Sequence, residues 1–263
     1  MDLGLQDKIA LVTTSSKGIG RACALALSEE GARVAICARD PQTLGNTADD
    51  IGRTTGNEVL PITADLSQAD DCQRVVEQTT AHFSTLHVLV TNSGGPPPGV
   101  FSDFNDEDWY RAVDLTLMST VRLIRAAMPI MHEQGWGRII NIASISVKEP
   151  LDNLILSNAL RPGVVGMART LANQLAGDGI TVNNVLPGSI MTGRVTQLAA
   201  AQARQQDKTT EEILSSYAAP VPVGRIGKPE ELAALVAFLA SEQAGYINGT
   251  SILVDGGKYK GSM

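Results

Sequence analysis

Very little in this chain of 263 residues can ligate, cross-link or stack: it has three cysteines, three histidines and only 4% aromatic residues. Cys23, Cys37 and Cys72 lie in apolar-periodic or helical contexts without C-x-x-C spacing. That excludes a disulfide framework and a cysteine zinc site and leaves buried, reduced thiols in a reducing, cytoplasmic compartment. His82, His87 and His132 have no ligand spacing between them, so no metal site is expected and none is given a role. No run of 18 apolar residues occurs, and MDLGLQDK has no basic stretch leading into an apolar one. The expectation is a protein that neither spans a membrane nor is secreted. Basic charge is not in excess either. With 21 Lys plus Arg against 28 Asp plus Glu the formal net charge is -7, and nothing here suits a nucleic-acid backbone.

What is present is an ordinary globular balance, 43% hydrophobic and 19% charged, in a length that α/β folds often fill as one domain. Apolar and β-branched runs predict strands over 9–12, 33–38, 59–64, 86–91, 138–143, 181–186 and 251–255. Helical spacing between them predicts helices over 19–27, 40–53, 68–83, 106–133, 154–175 and 229–240. The fourth is read as one long helix, striped by Trp109, Val113, Leu117, Val121 and Ile124. Strand and helix alternating throughout implies parallel pairing: an α/β, doubly wound, Rossmann-like sheet of about seven strands with helices on both faces. Residues 1–263 are read as a single dinucleotide-binding domain. The only long irregular stretch is 189–225, polar and rich in Gln and Ala, whose place after a strand suits a substrate flap over a ligand crevice.

The chain is organised around KIALVTTSSKGIG, residues 8–20. A short apolar run meets a cluster of hydroxyls and then a Gly-x-Gly that opens a helix, which is how a parallel α/β domain offers free backbone N–H groups to a phosphate. Further motifs lie downstream. Asp65 and Leu66 follow the third strand in ADLS, and Thr91, Asn92, Ser93 and Gly94 follow the fourth. GRIINIAS ends in Ser144, Pro187 and Gly188 follow the sixth strand with Thr192 beyond them, and NGTSILVDGG closes the pattern.

Together these motifs resemble the short-chain dehydrogenase/reductase superfamily over essentially the whole chain, and most of all its 3-oxoacyl-[acyl-carrier-protein] reductase branch. The likeness implies that Thr13, Thr14, Ser15, Ser16, Lys17, Gly18, Ile19 and Gly20 stand for the family's Thr-Gly-x-x-x-Gly-x-Gly. It also implies that Asp65 contacts adenine with Leu66 beside it, that Asn92 and Gly94 belong to its Asn-Asn-Ala-Gly, and that Pro187, Gly188 and Thr192 frame the nicotinamide.

A pyrophosphate needs backbone N–H groups with no Cβ in the way, which fits Gly18 and Gly20. Thr14 departs from the family's first glycine: either the turn stays at negative φ or it carries strain of about 1–3 kcal/mol. The hydroxyls of Thr13, Ser15 and Ser16 are read either as phosphate donors or as groups that satisfy the turn and cap the helix. Cofactor choice is read after the second strand, where a carboxylate would bind the 2'-hydroxyl of NAD and an arginine the 2'-phosphate of NADP. Arg39, with Lys17 as a second cation, predicts NADP(H) over NAD(H); the alternative is that Arg39 pairs with Asp40.

The family's catalytic Tyr-x-x-x-Lys, expected thirteen residues after Ser144, is replaced by Ser157 and Arg161, and the family's helix Asn by Thr116. A serine hydroxyl is a far poorer acid than a phenol, and a guanidinium does not release its proton. Pro162 predicts a kink or a helix start nearby. Three readings follow. In the first, Ser144 and Ser157 bond a substrate carbonyl, Arg161 polarises it and grips the nicotinamide ribose, and the proton comes from water, Tyr217 or Lys148. In the second, the nucleotide site persists without turnover, as a binding or scaffolding module. In the third, Arg161 serves non-redox anion chemistry, which fits poorly beside intact cofactor motifs. The first is preferred: an NADP(H)-dependent oxidoreductase acting on a small-molecule carbonyl or alcohol. By family likeness the helix at 106–133 and its successor pair with copies of themselves, giving a homotetramer or homodimer.

Overall fold

The computed structural model describes residues 2–262. In chain order its elements are β1 (Ile9–Val12), α1 (Gly18–Glu29), β2 (Arg33–Ala38), α2 (Pro41–Thr55), β3 (Val59–Thr63), α3 (Ala69–Phe83), β4 (Val88–Thr91), α4 (Asp106–Val113), α5 (Ser119–Glu133), β5 (Gly137–Ile142), α6 (Ile155–Leu175), β6 (Ile180–Pro187), α7 (Gly193–Gln206), α8 (Thr210–Ala218), α9 (Pro229–Ala240) and β7 (Ser251–Val254). The strands form one sheet in the order β3-β2-β1-β4-β5-β6-β7, and every pairing is parallel.

Both faces of this sheet are covered, which is why the central strands read as unbroken apolar runs instead of alternating ones. Ala10 and Val12 of β1, with Val34 and Ile36 of β2, pack into one core with Leu27 of α1 and Leu232 and Val236 of α9. Ile9, Leu11, Ala35 and Cys37 point the other way, into a core with Val75 of α3, Leu123 and Ala127 of α5 and Ala172 of α6. The period-two alternation of a strand thus divides one run between two layers. All three cysteines are free and buried; burial pushes the Cys23 and Cys37 thiols up to about 12. Among the described residues no helix is long and apolar enough to cross a membrane.

Three expectations are corrected. The long helix at 106–133 is α4 and α5 joined by a π-helical turn, Asp114–Met118, which inserts one residue into the register and buries Thr116. The 189–225 stretch is not irregular: it holds α7 and α8, capped by Thr192 and by a Thr209–Glu212 capping box. Ala199 and Ala203 of α7 pack against Ile213 of α8, a contact too small in side-chain volume to leave an apolar stripe in the sequence. Nor does a helix start at Pro162, since α6 begins at Ile155 and carries the proline inside it.

Where the order turns from β2-β1 to β1-β4, successive chain segments leave the sheet in opposite directions and open a crevice beyond the carboxyl ends of the strands. The 13–20 turn, the 92–98 loop, Ser144 and the start of α7 all follow those carboxyl ends.

Candidate functional site

The turn after β1 is braced from inside. Thr13 Oγ1 accepts from the Asn92 N–H at 2.7 Å and donates to the Asn92 carbonyl at 2.9 Å, while the Thr13 N–H donates to Val90. Ser15 Oγ donates to the Val12 carbonyl at 2.6 Å and accepts from the Cys37 N–H, and the Ser15 N–H donates to Cys37. Both side chains are wholly buried. Of the two readings of these hydroxyls, the structure takes the internal one. Thr13 and Ser15 knit β1 to β4 and β2, with no donor left for a phosphate.

Ser16, Lys17, Gly18 and Ile19 form the accessible part of the turn. No side chain caps α1, so the N–H groups of its first turn have no partner within the helix. Gly18 sits at φ +59, and a Cβ on Gly20 would come within 2.3 Å of the Thr14 carbonyl oxygen, so only glycine lets the helix start this close to the turn. Thr14 has φ +50. The strained alternative is the one realised, at a cost of about 1–3 kcal/mol for a β-branched residue.

Arg39 is exposed and forms no ion pair among the described residues. Asp40 is not its partner: that carboxylate caps α2, accepting from the Thr43 N–H at 3.0 Å. The Thr43 hydroxyl and N–H hold the Asp40 carboxyl below the usual range, with the Lys17 charge adding to the effect. Asp65 Oδ1 accepts from the Ser67 N–H and hydroxyl at 3.0 and 2.9 Å. The Leu66 side chain beside it is buried in the core under β3. Asn92 Nδ2 donates to the Thr14 carbonyl at 3.4 Å. Gly188 continues the β6–β7 ladder by donating to Val254, and the Thr192 methyl lies 3.3 Å from where a Gly18 Cβ would stand. The start of α7 therefore rests against the glycine turn.

The other side of the crevice is different in kind. Ser144 is half-buried, and its Oγ accepts from the Ser146 N–H at 3.0 Å, which leaves its own proton free to donate. Ser157 is 5% exposed, bonded to Ser146 Oγ at 3.3 Å and accepting from Arg161 Nε at 3.0 Å. Arg161, 8% exposed, donates through Nη1 to the carbonyls of Ile142 and Ala143 at 3.1 and 2.7 Å, and through Nη2 to Gly94 at 2.8 Å. Four of its five N–H groups are spent inside the protein. Read from the sequence as facing a substrate carbonyl and a ribose, the two residues here tie α6 to the end of β5 and to the 92–98 loop. Burial pulls the Arg161 guanidinium down to about 10, with the charge of Arg194 a second cause.

Thr116 is likewise sealed in, and its Oγ1 has no hydrogen-bond partner. It borders a cavity of about 10 Å³ shared with Ser93, Thr120 and Arg161, room for about one water. Tyr217 does not reach the crevice as an acid: its hydroxyl donates to Gln202 Oε1 at 2.6 Å and joins α8 to α7. Lys148 ends the short helical turn that Ser144 begins. Sequence reasoning missed Arg194, in the first turn of α7, which donates to the carbonyls of Gly95 and Pro96 at 3.0 and 3.2 Å. A cation two residues beyond Thr192 was the signal that pointed to it.

This constellation defines the chain's class. Residues 13–258 match the family described as Enoyl-(Acyl carrier protein) reductase, and the chain belongs to the short-chain dehydrogenase/reductase superfamily. It is 36% identical to the 3-oxoacyl-[acyl-carrier-protein] reductase FabG of Haemophilus influenzae over 97% of this chain and 99% of that one. To the 3-oxoacyl-[acyl-carrier-protein] reductase of Synechocystis it is 34% identical over 96% and 97%. Among solved structures, L-sorbose reductase from Gluconobacter frateurii, complexed with NADPH and L-sorbose, superposes with a TM-score of 0.96 at 33% identity, over 99% of this chain and 100% of that one.

Proposed function

We propose that the protein is an NADP(H)-dependent oxidoreductase that interconverts a carbonyl and an alcohol in an atypical active site. The observation that carries this is the uncapped start of α1 at the crevice, with Gly18 at positive φ and Gly20 admitting no Cβ. That surface fits a pyrophosphate. Ser16, Lys17, Gly18, Ile19 and Gly20 would hold it, with Asn92, Gly94, Pro187, Gly188 and Thr192 along the same wall and Asp65 at the adenine end. Arg39 and Lys17 would take a 2'-phosphate, since the nearest carboxylate, Asp40, is turned to its own helix. The dinucleotide supplies a hydride when bound. The NADPH bound by the sorbose reductase supports the same choice of coenzyme.

Ser144 then does the work this chain itself can do. With its oxygen held by the Ser146 N–H, its proton points a hydrogen bond at the substrate oxygen and steadies the charge that develops there. α6 contains neither tyrosine nor lysine, so on this reading the proton is drawn from solvent or from Lys148. Ser157 and Arg161 act from behind by holding the end of β5.

Oxidation of NADPH with a panel of ketones, quinones and 3-oxoacyl thioesters tests the reading. Ser144→Ala lowers kcat/KM about 100-fold or more; an unchanged value removes Ser144 from the chemistry. Arg39→Ala weakens NADPH about tenfold relative to NADH. A second reading, coenzyme binding without turnover, is favoured by the internal satisfaction of Ser157 and Arg161. It holds if calorimetry detects NADPH binding while no carbonyl is reduced. A homodimer or homotetramer in the cytoplasm is part of the proposal, with light scattering as its check.

A further inference from the structure

We propose that Arg194 selects a carbonyl substrate that carries a carboxylate; this rests on the reductase reading and names its substrate class. Arg194 and Arg161 grip the same loop from two sides, Arg161 at the Gly94 carbonyl and Arg194 at those of Gly95 and Pro96. They lie near enough for the charge of one to lower the pKa of the other. Neither has an ion-pair partner among the described residues, although the chain carries 28 carboxylates against 21 Lys plus Arg. The first turn of α7 also contains no acid. Two adjacent cations without a counter-charge make a locally positive mouth on a protein that is negative as a whole.

Of the two, only Arg194 is free to act. Arg161 is buried and committed, whereas Arg194 is exposed and held by two neutral carbonyls, a weaker hold than a bidentate carboxylate would give. The dinucleotide does not need this cation, because the start of α1 and the pair Arg39 and Lys17 already account for its phosphates. The loop that Arg194 touches also leads toward the chemistry. Its far end, Gly99, bridges to Leu154 at the start of α6, and α6 packs behind Ser144 through the Ser157–Ser146 bond. A substrate reaching Ser144 with its carbonyl would pass a terminal acid beneath Arg194. A Cβ on Gly95 would stand 3.2 Å from Arg194 Nη1, so glycine there lets the guanidinium lie close against the loop.

The test compares matched pairs, a 3-oxo carboxylic acid and its methyl ester, as substrates for wild type, Arg194→Met and Arg194→Lys, with NADPH affinity measured by calorimetry on each. The proposal expects wild type to prefer the acid. Arg194→Met should cut the acid-to-ester ratio of kcat/KM about 10- to 100-fold, and Arg194→Lys should recover part of it. An unchanged ratio overturns the proposal. So does a loss of NADPH affinity in Arg194→Met that lowers kcat/KM for acid and ester alike, because the cation then belongs to the coenzyme. If neither member of the pair is reduced, the reductase reading fails on its own terms. Binding of acid against ester to the NADPH-loaded protein then still decides the role of Arg194: selective binding lost in Arg194→Met supports it, and equal binding overturns it.

Discussion

The two sides of the crevice were built from residues of the same kinds and ended in opposite states. On the nucleotide side, the inner hydroxyls of Thr13 and Ser15 are spent on bracing, while the outer residues, 16–19, stay accessible and no side chain caps the start of α1. On the serine side the bracing groups are the ones that stood in catalytic register. Arg161 turns inward to the carbonyls of Ile142, Ala143 and Gly94 and Ser157 to Arg161 and Ser146, while Ser144 keeps an uncommitted proton. One side is strained at Thr14 but open; the other is satisfied but closed. A motif position therefore says which residues meet, and burial says whether they face each other or the ligand.

The largest test of this contrast is Arg161→Met. It leaves two buried carbonyls, the half-buried one of Gly94 and a serine without this donor, and the expected loss is about 3 kcal/mol of stability in urea unfolding. Full stability with abolished turnover would instead return Arg161 to the chemistry and erase the difference between the two sides. A smaller change of opposite sign is expected for Thr14→Gly. Relief of the φ +50 strain outweighs the added chain entropy by about 1 kcal/mol, raising the unfolding midpoint and tightening NADPH. A destabilised Thr14→Gly would show that the turn is relaxed with threonine in place.

A third effect lies at the amino ends of the strands, away from both sides. His87 Nδ1 accepts from the Ile9 N–H at 2.9 Å, and burial, with Lys8 and Arg33 nearby, lowers its pKa to about 4. Between about pH 6.5 and 4 the unfolded chain binds a proton that the folded protein refuses, so stability is full above 6.5 and falls with pH through that window. His87→Gln should flatten the Tm difference between pH 7 and pH 5, measured calorimetrically. An undiminished difference would move the acid sensitivity to the crevice.

Much of the fold was legible because apolar runs in a parallel sheet are long, unbroken and punctuated by glycine. β1, β2 and α9 have the limits their patterns predicted. The misses share a cause. α7 and α8 bury small side chains against each other, so their periodicity carries little hydrophobic signal. The π-helical turn at Asp114–Met118 changes the phase of a stripe that reads as continuous. In the site, Gly18 and Gly20 were readable because backbone geometry demands glycine there. The inward rotation of Ser157 and Arg161 was not, because it depends on carbonyls 18, 19 and 67 residues away in sequence.

By itself the sequence determined the order of the strands and of every helix but α7 and α8, the glycine turn and the family, since each rests on local pattern and short spacing. Only the tertiary structure decided which hydroxyls and cations remain available to a ligand. Hydrogen-bond partners brought from distant strands satisfy some of these groups and leave others open, and no local spacing encodes that division.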